Sequence, residues 1–484
     1  MKKIILATFL FAKIATAQGA LPWGQAVSVP LLATQPGVAM FYVSSYNWVG
    51  THTDYDMARQ AADAYLAAHP QTSTYVVLSP LVTQTCDAVP LPTVPTGSGT
   101  FSTVSIIGYG SNVSTLVRRV GCTPRVATLS HPDSPGGLVS NALYQGFTVS
   151  ANHIDSAACG FYAMSSSTFF DLACGNAAPG ADHEIEFGNS DPNNIGRVYG
   201  AYIYNLKSFD IVGVGKGANL APVWSGGTLS GVTVVNGGTK KYTQQYISAT
   251  VVGPDLSTCT SVPTLVPIVS SVVTSNFSNL PPITSGYVTG AMITNPGSCS
   301  STAKLYILIQ DGVNARYGMK FSNMASSHAW NLEPTGASTY GEAWLPASAN
   351  NTIIGEHPYT NQTIQIAEYA NSNKHTNAFF DSPGEFGAAI YSQYGSFINS
   401  IFSWDSASYT GSSGYYLGAA PGSYRNWAIK NSQCTNSSAN FITITTTQGA
   451  LLSTDPPPSG VTFNDLERCD GTQAVDWPTQ VGPQ

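Results

Sequence analysis

Short segments in which apolar and polar residues alternate dominate the chain after its first hundred residues. The clearest are Ala142–Ser150, Gly160–Cys174, Glu184–Asn189 and Tyr199–Asn205. They recur at intervals of roughly 20 residues, separated by Gly, Asn and Asp, as the repeats of a solenoid do. Alternation with a period of two places every second side chain on one face of a β-strand. The pattern therefore predicts a β-solenoid, in which each coil buries its inner face by stacking on the next coil.

The alternation returns after residue 312. The segments there are Tyr317–Asn323, Ala329–Leu332, Asn351–Gly355, Gln362–Glu368, Thr376–Asp381, Ala388–Tyr391 and Ser396–Asp405. A β-sandwich is the alternative fold, but it would need hairpin turns, and hairpin dipeptides are few here.

One amphipathic helix is predicted from Asp54 to His69, where Met57, Ala61, Ala64, Tyr65 and Ala68 recur at spacings of three and four. Thr53 or Asp54 can cap its start, Asp56 suits the positive end of the helix dipole, and Pro70 ends it. Two short strands follow, in the phrases TYVVLSP (74–80) and SIIGYGSNVSTL (105–116).

The order of helix, TYVVLSP and SIIGYGSNVSTL resembles the N-terminal cap of the pectate-lyase-like superfamily, which also includes phage tailspike and depolymerase proteins. The resemblance covers roughly residues 50 to 120 and rests on one helix and two short strands. It implies an all-β, right-handed parallel β-helix that opens with a capping helix. A polysaccharide is the partner that it implies, and a homotrimer is the assembly found in the tailspike branch.

Residues 217–312 differ from the segments on either side. Two related phrases occur there, GTLSGVTVVNGGTKKYT (227–243) and GYVTGAMITNPGS (286–298), and the first is similar to modules that recur in phage tail fibres. We therefore predict a small β domain inserted into one loop of the solenoid.

These patterns divide the chain into six parts. They are a signal peptide (1–17), an N-terminal segment and β-helix cap (18–120), a first part of the β-helix (121–216), the inserted β domain (217–312), a second part of the β-helix (313–433) and an extended C-terminal tail (434–484).

The N-terminus has the features of an export signal. Lys2 and Lys3 precede an apolar run, Ile4–Ala12, and Ala15-Thr16-Ala17 forms a cleavage site before Gln18. The run is too short to cross a bilayer. We therefore expect a secreted protein that has no membrane contact after cleavage. The tailspike resemblance gives a virion tail as the other location, and the two origins conflict because virion proteins need no export.

Eight cysteines agree with an oxidising compartment. No CxxC pair occurs, so zinc or thioredoxin-like chemistry has no support. Pairing between sequence neighbours would give four disulfides, and other connectivities remain open. The neighbour pairs are Cys86–Cys122, Cys159–Cys174, Cys259–Cys299 and Cys434–Cys469.

The charge of the chain indicates which kinds of partner it can bind. Only 9% of residues are charged and the formal net charge is -7, whereas globular proteins average about 25% charged residues. No basic patch is visible, which argues against a nucleic-acid partner. A surface rich in hydroxyl and aromatic groups suits neutral hydrogen-bonding ligands such as sugars.

The motif DHEIEF contains the first candidate site. On a strand, Asp182, Glu184 and Glu186 share one face while Ile185 and Phe187 point into the column. Residues two apart are about 6.6–7 Å apart along a strand, and inverting glycosidases separate their two carboxyls by about 6.5–9.5 Å. Glu184 and Glu186 are therefore predicted catalytic residues on an open face. A solvated face without function and a Ca²⁺ site are the alternatives, and no other cofactor is indicated.

Asp381 and Glu385 are the second pair of predicted catalytic residues. Carboxylates and aromatic rings near them in sequence are predicted to bind substrate, since rings stack on sugars. Buried core and trimer contacts are the alternative for these rings. The predicted substrate-binding residues are Trp330, Glu333, Trp344, Glu356, Tyr391 and Trp404.

Several motifs are absent: the polygalacturonase series, the calcium-and-arginine signature of classical pectate lyases, GxSxG, HExxH and a phosphate loop. Arg197, Arg316 and Arg425 are the candidates for neutralising a uronate. We expect an extracellular enzyme that cleaves a polysaccharide, either a glycoside hydrolase or a polysaccharide lyase. A non-catalytic glycan adhesin or phage receptor-binding fibre is the main alternative, and a purely structural virion or surface-layer protein is the third.

Overall fold

The computed structural model describes most of the chain between residues 37 and 466. The described ranges are 37–87, 90–96, 100–131, 138–189, 196–210, 218–238, 242–244, 247–252, 254–270, 273–275, 283–302, 305–311, 314–359, 364–381, 386–403, 413–417, 427–435, 440–444, 449–450 and 461–466. The predicted signal peptide lies outside them.

Helix α1 (Asp54–Ala68) confirms the predicted helix. Thr53 caps it in a capping box, in which Asp56 N donates to Thr53 Oγ1 at 3.2 Å and Thr53 N donates to Asp56 Oδ2 at 2.9 Å. Two short 3₁₀ helices span Val43–Ser45 and Pro254–Thr258. No described helix combines the length and apolar character that crossing a membrane requires.

Sixteen strands precede the insertion. In chain order they are β1 (Val38–Tyr42), β2 (Ser73–Val77), β3 (Val82–Thr85), β4 (Val94–Pro95), β5 (Phe101–Ser102), β6 (Ser105–Ile107), β7 (Thr115–Arg118), β8 (Leu129–Ser130), β9 (Val139–Ser140), β10 (Leu143–Ser150), β11 (Cys159–Phe161), β12 (Met164–Ser165), β13 (Thr168–Gly175), β14 (His183–Phe187), β15 (Val198–Tyr199) and β16 (Tyr202–Phe209).

The insertion contains eleven described strands. They are β17 (Ala218–Ser225), β18 (Thr228–Gly237), β19 (Tyr242–Thr243), β20 (Ile247–Val252), β21 (Cys259–Ser261), β22 (Thr264–Val269), β23 (Val273–Ser275), β24 (Ile283–Gly286), β25 (Val288–Asn295), β26 (Ser298–Cys299) and β27 (Tyr306–Asp311).

Sixteen described strands follow the insertion. They are β28 (Tyr317–Phe321), β29 (Met324–Ala325), β30 (His328–Pro334), β31 (Tyr340–Trp344), β32 (Thr352–Ile354), β33 (Ile364–Glu368), β34 (Lys374–Thr376), β35 (Phe379–Asp381), β36 (Phe386–Ile390), β37 (Ser396–Ile398), β38 (Ile401–Ser403), β39 (Ser413–Leu417), β40 (Trp427–Thr435), β41 (Asn440–Ile444), β42 (Gly449–Ala450) and β43 (Val461–Leu466).

Successive coils contribute one strand to each of two sheets, and the coils up to β29 add a short strand to a third sheet. The first sheet runs β1-β2-β6-β10-β13-β16-β30-β32-β34-β37-β40, the second includes β8-β11-β14-β28-β31-β33-β36-β39-β41, and the third includes β9-β12-β15-β29. Neighbouring strands along these runs are parallel. The protein is therefore a parallel β-helix, which confirms the predicted fold class.

Inward side chains stack in register along the column. In the second sheet, Phe161, Phe187, Phe321 and Trp344 occupy equivalent positions on successive coils and are fully buried. The rings of Phe321 and Trp344 are stacked, with centroids 3.8 Å apart. Because each coil alone leaves its inner face open, this continuous stack is what allows the coils to bury their apolar surface.

A corner of the first sheet uses residues that accept a left-handed backbone. The positions that interrupt the register there all have φ between 50° and 74°: Gly146, Asp171, Asn205, Asn331, Gly355, Asn377 and Asn399. Gly, Asn and Asp adopt this conformation at the lowest cost. Stacked amides add contacts between coils, since Asn331 Nδ2 donates to Asn205 Oδ1 at 2.9 Å.

The coils on either side of the insertion stack directly on each other. β14 pairs with β28, β15 with β29 and β16 with β30, all in parallel. Between them, residues 218–311 form a six-stranded antiparallel sheet with a separate apolar core that includes Leu220, Val251 and Val288. The solenoid therefore continues across about one hundred residues of different structure.

Part of the predicted extended C-terminal tail forms strands of the β-helix. Asn440–Ile444 pairs in parallel with β39, and Val461–Leu466 pairs in parallel with β40. These two segments of the predicted extended tail are strands that extend the second and first sheets beyond residue 434. Pro456–Pro458 lie outside the described residues.

Three of the four expected disulfides are confirmed: Cys86–Cys122, Cys159–Cys174 and Cys259–Cys299. Cys469 lies outside the described residues, so its pairing with Cys434 stays a prediction. If that pair forms, the denatured but unreduced protein should show no thiol that reacts with a colorimetric disulfide reagent. Two or more reactive thiols per chain would contradict four disulfides.

The insertion should be removable. Seven residues (176–182) join β13 to β14, so replacing residues 211–312 by Gly-Gly joins β16 to β28 with a connection of the same length. We expect the shortened protein to be soluble and to keep its β-sheet circular dichroism, because the stacked coils do not need the inserted core.

The matched control replaces a segment of the same length after β28 by Gly-Gly, which removes about four stacked coils of the column. It should abolish folding, because it removes part of the column itself. If the insertion-deleted protein aggregates as the control does, residues 217–312 are not a separable unit.

Candidate functional site

The predicted strand around Glu184 and Glu186 is β14, and its inward side chains lie where the sequence predicts. Ile185 and Phe187 are fully buried in the column. The expected open outer face is wrong, because Glu184 is only 1% exposed and Glu186 only 8% exposed. Neighbouring coils and connecting segments cover both carboxylates.

Glu186 lies in an outward row of the second sheet, between Gly160 on one coil and Lys320 on the next. Tyr162 Oη donates to Glu186 Oε2 at 2.9 Å, and Ser322 Oγ donates to Oε1 at 2.5 Å. Lys320 Nζ is 3.1 Å from Oε1. Gly160 makes room for the tyrosine, since a Cβ there would lie 2.7 Å from Tyr162 Oη.

Asp182 and His183 complete this group. Lys320 Nζ is 2.7 Å from Asp182 Oδ2, and His183 Nδ1 is 3.2 Å from the same oxygen. His183 Nε2 faces Glu186 Oε2 at 3.6 Å. The hydrogen bond with His183 and the contact with Lys320 hold the pKa of Asp182 far below its usual range. We call Tyr162, Asp182, His183, Glu186, Lys320 and Ser322 the Glu186 cluster.

Stacked tyrosines lie beside the Glu186 cluster on the same sheet. The rings of Tyr317 and Tyr340 are 4.9 Å apart and nearly parallel, and those of Tyr369 and Tyr391 are 4.4 Å apart. The Arg316 guanidinium lies over the first pair, at 5.0 and 5.6 Å from the ring centroids. We call these four tyrosines the tyrosine ladder, and it contains the predicted substrate-binding residue Tyr391.

Glu184 has different partners. Its Oε2 accepts a hydrogen bond from Ala177 N at 2.9 Å. Burial, followed by repulsion from Asp210, raises its pKa well above the usual range. The structure therefore does not place Glu184 and Glu186 around one shared, open space.

Trp330 and Glu333 lie on the outward face of the first sheet. The rings of Tyr204 and Trp330 are stacked 4.5 Å apart, and Phe170 lies 6.1 Å from Tyr204. Glu333 is paired with Lys207 at 2.7 Å. We call Phe170, Tyr204 and Trp330 the first-sheet aromatic row.

Asp381 is partly exposed and lies beside the preceding coil, which carries His357 and Tyr359. His357 Nε2 is 3.9 Å from Asp381 Oδ2, and Tyr359 forms a parallel bridge with Asp381. Glu385 and Trp404 lie outside the described residues. The structure thus brings Asp381 near His357, while its predicted catalytic partner stays a prediction.

Trp344 and Glu356 do not face a groove, and that expectation is wrong. Both are fully buried, and Trp344 is part of the inward aromatic stack. A ring inside the column cannot stack on a sugar at the surface.

Glu356 belongs to a polar group inside the column. His375 Nδ1 is 2.9 Å from Glu356 Oε1, and His375 Nε2 is 2.8 Å from Glu368 Oε2. Trp344 Nε1 donates to Glu342 Oε1 at 2.8 Å. We call Glu342, Glu356, Glu368 and His375 the interior cluster; all four side chains are fully buried.

Burial dominates the electrostatics of the interior cluster. It raises the pKa of Glu342 well above the usual range, and repulsion from Glu356 adds to this. Burial alone would lower the pKa of His375, but the charges of and hydrogen bonds with Glu356 and Glu368 raise it to about 9. Among the described residues, Glu342, Glu356 and His375 form the one set of three side chains with ligand atoms placed for a metal, all within 4.8 Å of one another.

Sequence reasoning missed Lys320, Tyr162 and the interior cluster. Lys320 could only be found by aligning β14 with β28 across the insertion. The interior cluster had a signal in YGEAW (340–344) and IQIAE (364–368), where glutamate stands at alternate positions otherwise filled by apolar residues.

No protein-family model and no curated protein matches the sequence. The solved structures that are similar to the chain include the following three. The mannuronan C-5 epimerase AlgE4 A-module of Azotobacter vinelandii is 11% identical, with TM-score 0.46, covering 91% of this chain and 98% of that one. The Dettilon tailspike protein is 9% identical, with TM-score 0.45, covering 96% and 72%. An alginate lyase from Paenibacillus is 7% identical, with TM-score 0.37, covering 84% and 97%.

Replacing Lys320 by Met should destabilise the protein at pH 7, since Asp182 and Glu186 both lose their cation. The pKa of Asp182 is depressed in the folded state, so its contribution is present above about pH 4, the unfolded value, and is lost as the pH falls further. The difference in free energy of unfolding between wild type and Lys320→Met should therefore shrink below pH 4. Denaturant unfolding at pH 7, 5 and 3 measures it.

Lys207→Met is the matched control, because Lys207 also pairs with a carboxylate but is more exposed. Its effect should be smaller at every pH. A Lys320→Met effect that does not change between pH 7 and pH 3 would contradict the ionic role of Lys320.

Proposed function

We propose that the protein binds and cleaves a polysaccharide on the outward face of its second sheet. The Glu186 cluster would be the reaction centre and the tyrosine ladder the binding surface. One observation carries this proposal: Glu186 has Tyr162, His183 and Lys320 within 3.6 Å of its carboxylate. Proton-carrying groups and a cation thus converge at one point of a rigid surface.

The tyrosine ladder supports a sugar chain as the ligand. Flat tyrosine rings at the spacing of stacked coils offer the apolar face that pyranose rings stack on, while the hydroxyls meet polar neighbours. Arg316 and Lys320 lie beside Tyr317. Lys320 is paired with Asp182 and Glu186, whereas Arg316 is placed to neutralise a carboxylate of the ligand, so an acidic polysaccharide, such as a polyuronate, fits best.

The charges favour elimination over hydrolysis. Elimination next to a uronate carboxylate needs a cation on that carboxylate, a base for the adjacent carbon-bound proton and an acid for the leaving oxygen. Arg316 would supply the positive charge. His183 and the Tyr162–Glu186 pair would move the protons. Inverting hydrolysis by Glu184 and Glu186 has less support, because the two carboxylates have separate partners.

A non-catalytic glycan-binding protein is the second candidate. The first-sheet aromatic row favours it, since Tyr204 and Trp330 form a half-buried stacked surface. Its adjoining carboxylate, Glu333, is paired with Lys207.

An extracellular or virion-tail location is proposed on the three disulfides, which form and persist in oxidising compartments. A homotrimer is proposed as the assembly, and light scattering of the purified protein measures the number of copies. Neither proposal depends on whether the protein cleaves its ligand.

The test is depolymerisation of a panel of acidic and neutral polysaccharides. Reducing-end release detects any cleavage, and ultraviolet absorbance of unsaturated ends detects elimination. Glu186→Gln should lower the rate by at least about two orders of magnitude, the usual scale for loss of a general acid or base. Because Glu186 is nearly buried, circular dichroism and thermal unfolding must show that the variant is folded.

Asp255→Asn, in the 3₁₀ helix of the insertion, is the control and should keep the wild-type rate. If Asp381→Asn is inactive while Glu186→Gln is active, the reaction centre is near His357 and not in the Glu186 cluster. If the wild type binds but does not cleave any substrate, and Trp330→Ala abolishes binding, the protein is a glycan-binding protein.

A further inference from the structure

The interior cluster places polar side chains at inward positions of the column. In the first sheet, His375 stands between Ile353 and Phe397 of the adjacent coils. In the second sheet, Glu342 stands between Met319 and Ile366. Residues at such positions are otherwise apolar and fully buried, so the interior cluster is a marked departure from the pattern of the column.

The Glu342 and Glu356 carboxylates lie against each other in this interior. The carboxylate of Glu342 receives the Trp344 indole N–H on Oε1, but its buried Oε2 accepts no hydrogen bond from the described part of the chain. Two ionised carboxylates are acceptors only, so a proton or a cation must lie between them. Glu356 Oε1 and Oε2 are 2.9 and 3.0 Å from His375 Nδ1, so the imidazole faces the same point.

We propose that Glu342, Glu356 and His375 bind a divalent transition-metal ion inside the column. Their ligand atoms lie within 4.8 Å of one another. Ligand atoms around a tetrahedral zinc ion, at about 2.0–2.2 Å from the ion, are about 3.3–3.6 Å apart. Side-chain shifts of about 1 Å would therefore close the three ligands on an ion.

The ligand types select the class of ion. One imidazole nitrogen and two carboxylates suit zinc and its first-row neighbours, whereas calcium and magnesium take oxygen ligands. The charge of the interior cluster also favours a cation. Three ionised carboxylates with only one imidazole among them would carry a large desolvation cost in an apolar interior. A dication between Glu342 and Glu356 offsets that charge.

Glu368 would orient the histidine. It accepts from His375 Nε2 at 2.8 Å and is held by Ala370 N at 2.7 Å and by Asn373. With Nε2 carrying the proton, the lone pair of Nδ1 points to Glu342 and Glu356. A carboxylate that holds the far nitrogen of a metal-binding histidine is a common outer-sphere arrangement. Glu368 is thus a positioning residue and not a ligand.

The ion would link two sheets of the column. Glu342 belongs to β31 of the second sheet, whereas His375 belongs to β34 of the first. All of the proposed ligands are inaccessible to solvent, so the ion would enter during folding and resist chelators afterwards. Its role would be structural, which makes this inference independent of the proposed polysaccharide cleavage.

Zinc is the probe for the test. The full chain, unfolded without reductant in the presence of a chelator and refolded with or without zinc, is dialysed against chelator and analysed for metal by mass spectrometry. We expect about one zinc per chain and a higher Tm for the zinc-refolded wild type. Glu342→Gln should lose the zinc and the zinc-dependent rise in Tm. Glu368→Gln should weaken zinc binding by about 10–100-fold.

Glu333→Gln is the matched control, since it makes the same substitution outside the column and should bind zinc as the wild type does. Zinc retained by Glu342→Gln at the wild-type level would overturn the proposal. A wild type that binds no zinc and has the same Tm under both refolding conditions would also overturn it, and would leave a proton between the two carboxylates. This second measurement decides the question even if Glu342→Gln does not fold.

Discussion

In-register stacking of parallel coils is the constraint on which the rest of the structure depends. Each inward side chain has the equivalent side chain of the next coil directly above and below it, about 4.8 Å away. Neighbours must therefore match in shape, as the Phe187, Phe321 and Trp344 rings do. The same register aligns the residues of positive φ at the corner of the first sheet. Only Gly, Asn and Asp occupy these seven stacked positions.

The same register between coils determines which outward side chains are neighbours. Glu186 meets Lys320 and Ser322, which follow it by more than one hundred residues, only because β28 takes the place next to β14 after the insertion. The Glu186 cluster thus depends on the insertion leaving the coil stacking undisturbed. It also depends on Gly160, whose missing side chain admits the ring of Tyr162 over the carboxylate.

The sequence predicted what local patterns determine. The capping helix, the alternating strands, the inward direction of Ile185 and Phe187, and three disulfides are all confirmed. Alternation tells which face of a strand a side chain occupies, but it does not tell what covers that face. The burial of Glu186 therefore could not be predicted. The interior position of Trp344 and Glu356 depends on the register between coils, which no single segment contains.

The Glu186 cluster and the interior cluster lie on opposite faces of the second sheet. Lys320 is outward in β28 and its neighbour Met319 is inward, while in β31 Ala343 is outward and Glu342 is inward. A change at Glu342 can thus reach the Glu186 cluster only by moving β31 against β28. The effects of two mutations on stability are coupled when the two residues are in contact, and they add when the residues are well separated. A Glu342→Gln variant that keeps the stacking of Phe321 on Trp344 should therefore leave the geometry around Lys320 intact, because the apolar column, and not the interior cluster, fixes the spacing of the two strands.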